Sequence, residues 1–234
     1  MRIAFLSDAH GNAEALATVI EHIRTSGAAA LYFLGDALGY LPQAGAVLDL
    51  LAGCQAVCLK GNHEAMALGE LPLDPQKDQL YGLARTRQTL SDKHLATIRS
   101  WPQTLQIHQD ALTICMVHGA PYAPLSGYLH PDGAFDFLTD CHTNILVCGH
   151  THRPYVLFRH GVVIVNAGSC GLPRDNGRLA AYALIDTTAQ TASIHRVPFT
   201  VGDATLATLP EAVRRGLARR APCPMNLSMP IGER

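Results

Sequence analysis

Charge is scarce and nearly balanced in this chain: charged residues make up 16% of its 234 positions, and the formal net charge is −1. Together with 48% hydrophobic residues, that composition excludes a disordered chain. It also excludes the global basic field that would draw nucleic acid or an anionic membrane. No apolar run approaches the roughly 20 residues of a membrane span. The seven cysteines include no CxxC pair. An odd count without a secretory leader points to a reducing compartment. Met1-Arg2-Ile3-Ala4-Phe5-Leu6 already reads as a strand, leaving no room for a targeting peptide, so a cytoplasmic location is expected. No helix-opening GxGxxG follows a strand, and Gly168 and Gly171 read as turn glycines.

Histidine is plentiful by contrast, with 12 in the chain. Six apolar runs end in residues suited to metals or phosphates. They are Phe5-Leu6-Ser7-Asp8-Ala9-His10, Tyr32-Phe33-Leu34-Gly35-Asp36, Val57-Cys58-Leu59-Lys60-Gly61-Asn62-His63, Ile114-Cys115-Met116-Val117-His118, Leu146-Val147-Cys148-Gly149-His150-Thr151-His152 and Val163-Ile164-Val165-Asn166. A run apolar on both faces reads as a strand buried between helix layers. In open α/β sheets the ligand crevice lies outside the carboxyl ends of such strands. Asp8, Asp36, Asn62, His10, His118, His150 and His152 should therefore converge on one rim.

The organisation fits an α/β chain. Ala13 to Arg24 has helical periodicity behind an Asn12 cap, and a second helix opens at Pro42. Asp8, Asp36 and Asn62 follow one another at close to the roughly 30 residues of a βαβ unit, which makes the first three strands parallel. Ala65 to Trp101 is helical by composition. Leu105–His108 and Leu112–Val117 form a hairpin with Gln109-Asp110 as its turn, and Asp132–Cys141 reads as a helix. Tyr155–Phe158, Val162–Asn166, Leu179–Ile185 and Ala192–Val197 read as antiparallel strands of a second sheet. One helix covers Asp203–Arg219. Residues 1–218 form a single domain, with 219–234 a loosely ordered C-terminal tail.

Carboxylate, amide and imidazole donors without thiolate favour Mn, Fe, Zn, Co or Ni over Ca or a structural thiolate zinc site. Asp36 could bridge two such ions. Two divalent ions against two carboxylates and a bridging hydroxide leave a formal charge of about +1, which attracts a phosphate ester. Paired metals lower the pKa of a bridging water and clamp the attacking and leaving oxygens of an in-line displacement.

The order Asp8-x-His10, Gly35-Asp36, Gly61-Asn62-His63-Glu64, His118 and Gly149-His150-x-His152 resembles the calcineurin-like metallophosphoesterases over residues 1 to about 175. The resemblance implies a four-layer αββα sandwich of two mixed β-sheets flanked by helices. It implies that Asp8, His10, Asp36 and His152 hold one metal. Asp36, Asn62, His118 and His150 would hold the other, with manganese favoured. His63 is similar to the family's non-ligand histidine, which contacts the phosphate and assists the leaving group.

Gly35-Asp36-Ala37-Leu38-Gly39-Tyr40-Leu41-Pro42 lacks the Arg-Gly pair of the protein phosphatases and bis-nucleoside tetraphosphatases. That segment, with Asn166-Ala167-Gly168-Ser169 and Pro173-Arg174-Asp175, looks like the small prokaryotic phosphodiesterase-type branch. Leu41 stands where that branch often has glycine, which could narrow the rim. The expected activity is a metal-dependent phosphodiesterase acting through a metal-bridging hydroxide on a small phosphoester or nucleotide-type substrate, with no membrane and no nucleic-acid partner. The sequence carries no signal of oligomeric state. A phosphomonoesterase, a nucleotide pyrophosphohydrolase or a non-catalytic metal-bound interaction module are the alternatives. Arg174 and Arg153 could reach a phosphate or simply lie at the surface, and Tyr40 could stack on substrate or plug its loop. Cys170 reads as a buried inert thiol, and Arg214-Arg215 with Arg219-Arg220 as a solvated face.

Overall fold

The structure is a computed structural model that describes residues 1–231. Two sheets lie face to face. The first contains β1 (Arg2–Leu6), β2 (Ala30–Phe33), β3 (Val57–Cys58), β9 (Leu179–Asp186), β10 (Thr191–Pro198) and β11 (Asn226–Pro230), in the order β11-β10-β9-β1-β2-β3. The second contains β4 (Thr104–Gln109), β5 (Leu112–Val117), β6 (Ile145–Cys148), β7 (Tyr155–Arg159) and β8 (Val162–Asn166), in the order β4-β5-β6-β8-β7.

Both sheets are mixed, with a parallel centre. β1 pairs parallel to β2 and β2 to β3, while β9 runs antiparallel to β1. β5, β6 and β8 are parallel, flanked by antiparallel β4 and β7. Ile3, Phe5, Ile114, Met116, Ile145, Val147, Val163, Val165 and Ile185 fill the space between the sheets. The other face of the first sheet packs on α1 (Ala13–Thr25) and α2 (Ala44–Gly53) through Ala4, Leu6, Phe33, Leu16, Val19, Val47 and Leu51. Because alternate residues face opposite sides, β1 divides its side chains cleanly between these two cores.

Four expectations change. The four strands after residue 155 do not share a sheet: β7 and β8 join the second, whereas β9 and β10 return to the first. An apolar run fixes that a strand is buried, not which neighbour it pairs with. The helical stretch 65–101 is four short helices, α3 (Asn62–Leu68), α4 (Pro75–Tyr81), α5 (Leu83–Thr89) and α6 (Asp92–Ser100). Gly69 and Gly82 end the first two in the left-handed conformation. The helix expected over Asp132–Cys141 is a 3-10 turn, Asp136–Asp140. Phe135, Leu138 and Cys141 pack on the second sheet, and their spacing of three suits the 3-10 period. The last helix is two, α7 (Asp203–Thr208) and α8 (Glu211–Ala218), broken at Pro210.

Within the segment expected to be loosely ordered, β11 pairs with all of Thr191–His195 as an edge strand. Residues 232–234 of that segment lie outside the described residues. No helix among the described residues is long and apolar enough to cross a membrane.

Phe5 has no exposed surface and stacks on Tyr32 at 5.5 Å between the sheets. Phe5→Ala should lower unfolding free energy by about 3–5 kcal/mol, read as a shift in urea midpoint; a loss below about 1 kcal/mol would place the critical packing elsewhere.

Candidate metal centre

The parallel centres of both sheets end at one edge. β1 delivers Asp8 and His10, β2 delivers Asp36, and the turn after β3 delivers Asn62 and His63. β5 delivers His118, and β6 delivers His150 and His152. All seven expected donors meet there, and each of the six carboxylate and imidazole donors is buried.

The chain turns sharply to present them. Asp8, His10, Asp36, His150 and His152 have φ between +48° and +63°, a region that non-glycine residues adopt at a cost of about 1–3 kcal/mol each. Neighbouring loops hold them there. Asp8 N donates to Gly35 O at 3.0 Å, His10 N to Asp36 O at 2.9 Å, and Gly149 N to His118 O at 2.9 Å. The Ser169 hydroxyl donates to Asp8 O at 2.6 Å, and the Asn166 amide to Gly149 O at 2.7 Å. Glycine permits the closest approaches. A Cβ at Gly61 would lie 2.2 Å from Asp36 Oδ1, and one at Gly149 would lie 2.0 Å from Ser7 Oγ.

Five of the seven donors are oriented by their other polar atom. Imidazole Nδ1 of His10, His118 and His152 lies 3.0, 2.9 and 2.7 Å from the carbonyls of Leu38, Leu34 and Leu172. A carbonyl can only accept, so each Nδ1 carries a proton and each Nε2 faces inward, offering a lone pair whenever the ring is neutral. Asp8 Oδ2 accepts from His150 N and Asp36 Oδ1 from His63 N, both at 2.9 Å, leaving Asp8 Oδ1 and Asp36 Oδ2 to face the cluster.

Two acceptor sets result. In one, His10 Nε2 lies 3.0 Å from His152 Nε2, and Asp8 Oδ1 lies 3.2 Å from His152 Nε2. In the other, His118 Nε2 lies 3.0 Å from Asn62 Oδ1, 3.1 Å from His150 Nδ1 and 3.4 Å from Asp36 Oδ2. Asp36 Oδ2 is also 3.8 Å from His10 Nε2, within reach of both sets. Lone pair against lone pair at such distances is repulsive unless a proton or a metal ion lies between them. Asp8 Oδ1 is buried without any hydrogen-bond partner. Donors spaced by about 3 Å suit a single ion with bonds of about 2.0–2.2 Å. The donor sets therefore fit metal ions, and Asp8-His10-His152 and Asp36-His118-His150 are each close enough to hold one. His10, Asp36 and His63 form a third, overlapping triad.

The field of the site is negative. Burial alone would raise both carboxyls, but the imidazoles of His152 beside Asp8 and His118 beside Asp36 outweigh it, and both stay well below the ordinary carboxylate range. Burial lowers His118, yet Asp36 overcomes it and pushes the imidazole up to about 9. His150, further from the carboxylates, is pushed down to about 3 by burial and by His118. His63 is likewise pushed down to about 3 by burial, against the pull of Asp36. Its Nδ1 is buried and unpartnered among the described residues, and its ring packs against those of Tyr40 at 5.3 Å and Tyr81 at 4.6 Å.

Of the weaker sequence signals, Tyr40 packs edge-on to His10 at 4.8 Å, and its hydroxyl lies beside the Arg174 guanidinium, which also approaches His152. Arg174 forms no ion pair with a carboxylate among the described residues. Arg153 is exposed. Burial raises the Cys170 thiol far above its usual range, and all seven cysteines are free. Arg214 and Arg215 lie on the exposed side of α8.

Sequence reasoning gave no role to Glu64 or Tyr128. Buried Glu64 accepts four backbone N–H groups. Asp36 and Gly61 donate to Oε2 at 2.8 and 2.9 Å, and Ala37 and Leu38 donate to Oε1 at 2.8 and 3.2 Å. Burial and Asp36 push it up to about 7, and the Gly61 and Asp36 N–H groups pull it back. Its signal was an acid in the first turn of α3. Tyr128 lies in an irregular loop with no periodicity to expose it.

A sequence profile of the calcineurin-like phosphoesterase superfamily domain matches residues 1–190. An uncharacterized protein of Methanocaldococcus jannaschii is 27% identical over 85% of this chain and 88% of its own length. Phosphodiesterase YfcE of Escherichia coli K12 is 26% identical over 80% of this chain and 88% of its own. The crystal structure of a metallophosphoesterase from Sphaerobacter thermophilus superposes with a TM-score of 0.76 at 27% identity, covering 93% of this chain and 98% of that one.

Glu64→Gln would turn an amide N–H₂ toward two backbone donors. Each orphaned donor costs about 1–3 kcal/mol, so urea unfolding should show a loss of roughly 2–6 kcal/mol; an unchanged midpoint would remove Glu64 as the clasp between the Asp36 and Gly61 turns.

Proposed function

The chain belongs to the calcineurin-like phosphoesterase superfamily and is a phosphoester hydrolase, and from that premise we propose that it cleaves phosphodiesters at a two-metal centre. The observation that carries the reading is the pair of buried donor sets that share Asp36. Asp8, His10, Asp36 and His152 would hold one ion, and Asp36, Asn62, His118 and His150 the other. Manganese is the favoured metal. Two bound divalent ions supply Lewis acidity, lowering the pKa of water and stabilising charge on the attacking and leaving oxygens.

The chain's own residues do the rest. Arg174, which pairs with no carboxylate among the described residues, is a cation available to a non-bridging phosphoryl oxygen. His63 turns Nε2 into the cluster, 3.9 Å from Asp36 Oδ2, and is the group to contact the leaving oxygen. Burial keeps its imidazole uncharged, and an anionic phosphoryl group arriving beside it would favour the protonated form that assists departure. The Tyr40 and Tyr81 rings hold it in place.

Two features support a diester. The segment after Asp36 lacks an Arg-Gly pair, and the related Escherichia coli protein is named a phosphodiesterase. Arg174, a cation that a second phosphoryl group could use, favours a nucleotide pyrophosphohydrolase as the second reading.

His63→Ala should retain two metal ions per chain by elemental analysis while kcat falls about 10²–10⁴-fold; unchanged kcat would end the leaving-group role. Manganese-loaded protein should hydrolyse bis-p-nitrophenyl phosphate with higher kcat/KM than p-nitrophenyl phosphate. Turnover of the monoester alone would overturn the diester preference, and no turnover with any of Mn, Fe, Zn, Co or Ni would favour a metal-bound interaction module.

A further inference from the structure

The loop from β5 to β6 places one aromatic ring at the lip of the centre. Tyr128 is 49% exposed, yet its ring centroid lies 4.1 Å from that of His150. His130 stacks beside it, 5.9 Å away with an interplanar angle of 5°. Tyr122, also exposed, packs instead on Phe137 at 5.2 Å.

The backbone on either side of Tyr128 is pinned. Gly127 N donates to Ala123 O at 2.8 Å, and a Cβ at Gly127 would lie 2.6 Å from that of Ala120. Leu129 is buried, and its carbonyl accepts from the Tyr155 hydroxyl at 2.9 Å. The hydroxyl comes from β7, so the second sheet itself sets the loop. A long side chain exposed at a loop tip ordinarily samples several rotamers. Here both flanks are fixed and one ring face rests on an imidazole, so ordering is largely complete before any ligand arrives.

We infer that Tyr128, with His130 beside it, is a stacking platform for a planar aromatic group such as a nucleobase, carried on the ester arm that stays on phosphorus when the other arm leaves. The inference rests on the diesterase reading and gives it a substrate class. A phosphoryl group at the Asp36, Asn62, His118 and His150 donors lies next to this ring, so an arm leaving it on the His150 side meets an exposed aromatic face. Stacking on such a face is tolerant of base identity, because every base presents a π-surface. Discrimination should therefore lie between aromatic and aliphatic arms, not among bases.

Two substrates with the same leaving group separate this from any effect on the metals: thymidine 5′-(p-nitrophenyl phosphate) and methyl p-nitrophenyl phosphate. Tyr128→Ala should raise KM for the thymidine diester about tenfold, with kcat within about twofold and both constants for the methyl diester unchanged. Tyr128→Phe, which keeps the ring, should behave as wild type. Calorimetric titration should show thymidine 5′-phosphate binding about tenfold more weakly to Tyr128→Ala, with methyl phosphate unaffected. Equal changes on both substrates, or none on either, would overturn the platform. Should the wild type cleave neither diester, the diesterase reading falls, and the calorimetric comparison alone decides whether the platform exists.

Discussion

The inward direction of five of the seven donors depends on an outward hydrogen bond to the backbone. Leu34, Leu38 and Leu172 carbonyls take the Nδ1 protons of His118, His10 and His152. The His63 and His150 amides occupy the spare carboxylate oxygens of Asp36 and Asp8. Tautomer, ring angle and carboxylate rotation are thus set by main chain that the sheets already hold. A side-chain partner in any of these places would bring its own rotamer freedom. The cluster inherits the rigidity of two sheets without a dedicated scaffold.

Holding lone pairs together has an energetic cost, and the fold meets it in several places. Left-handed turns at Asp8, His10, Asp36, His150 and His152 are each braced by hydrogen bonds from a different loop. Glu64 collects four amides that would otherwise be buried unpaired, and so ties the Asp36 turn to the Gly61 turn. Local strain here is over-determined by the surroundings, the condition under which it persists at functional sites.

Much of this was legible in sequence for a simple reason. Strands buried on both faces write uninterrupted apolar runs, and residues at their carboxyl ends stand out against them. The near-regular spacing of Asp8, Asp36 and Asn62 carried the parallel pairing of β1, β2 and β3. Pairing across long separations left no such mark. Nothing local in Leu179–Asp186 says that it returns beside β1, or that Asn226–Pro230 closes on β10. The covering of the second sheet was misread because Phe135 and Leu138 fit both a helical and a 3-10 spacing over so short a stretch. Tyr128 escaped notice because its placement comes from tertiary anchors, Gly127 on Ala120 and Leu129 on Tyr155. Periodicity does not record these.

Each donor set draws on both sheets: Asp8 and His10 from one with His152 from the other, Asp36 and Asn62 from one with His118 and His150 from the other. An ion seated in either set would therefore act as a rivet through the sandwich, adding to the few hydrogen bonds, His118 Nδ1 to Leu34 O and His150 N to Asp8 Oδ2 among them, that join the layers along that rim. Starving such a molecule of metal would remove more than reactivity: it would loosen the seam where the layers meet, so supply of the ion and mechanical integrity of that edge would become one variable.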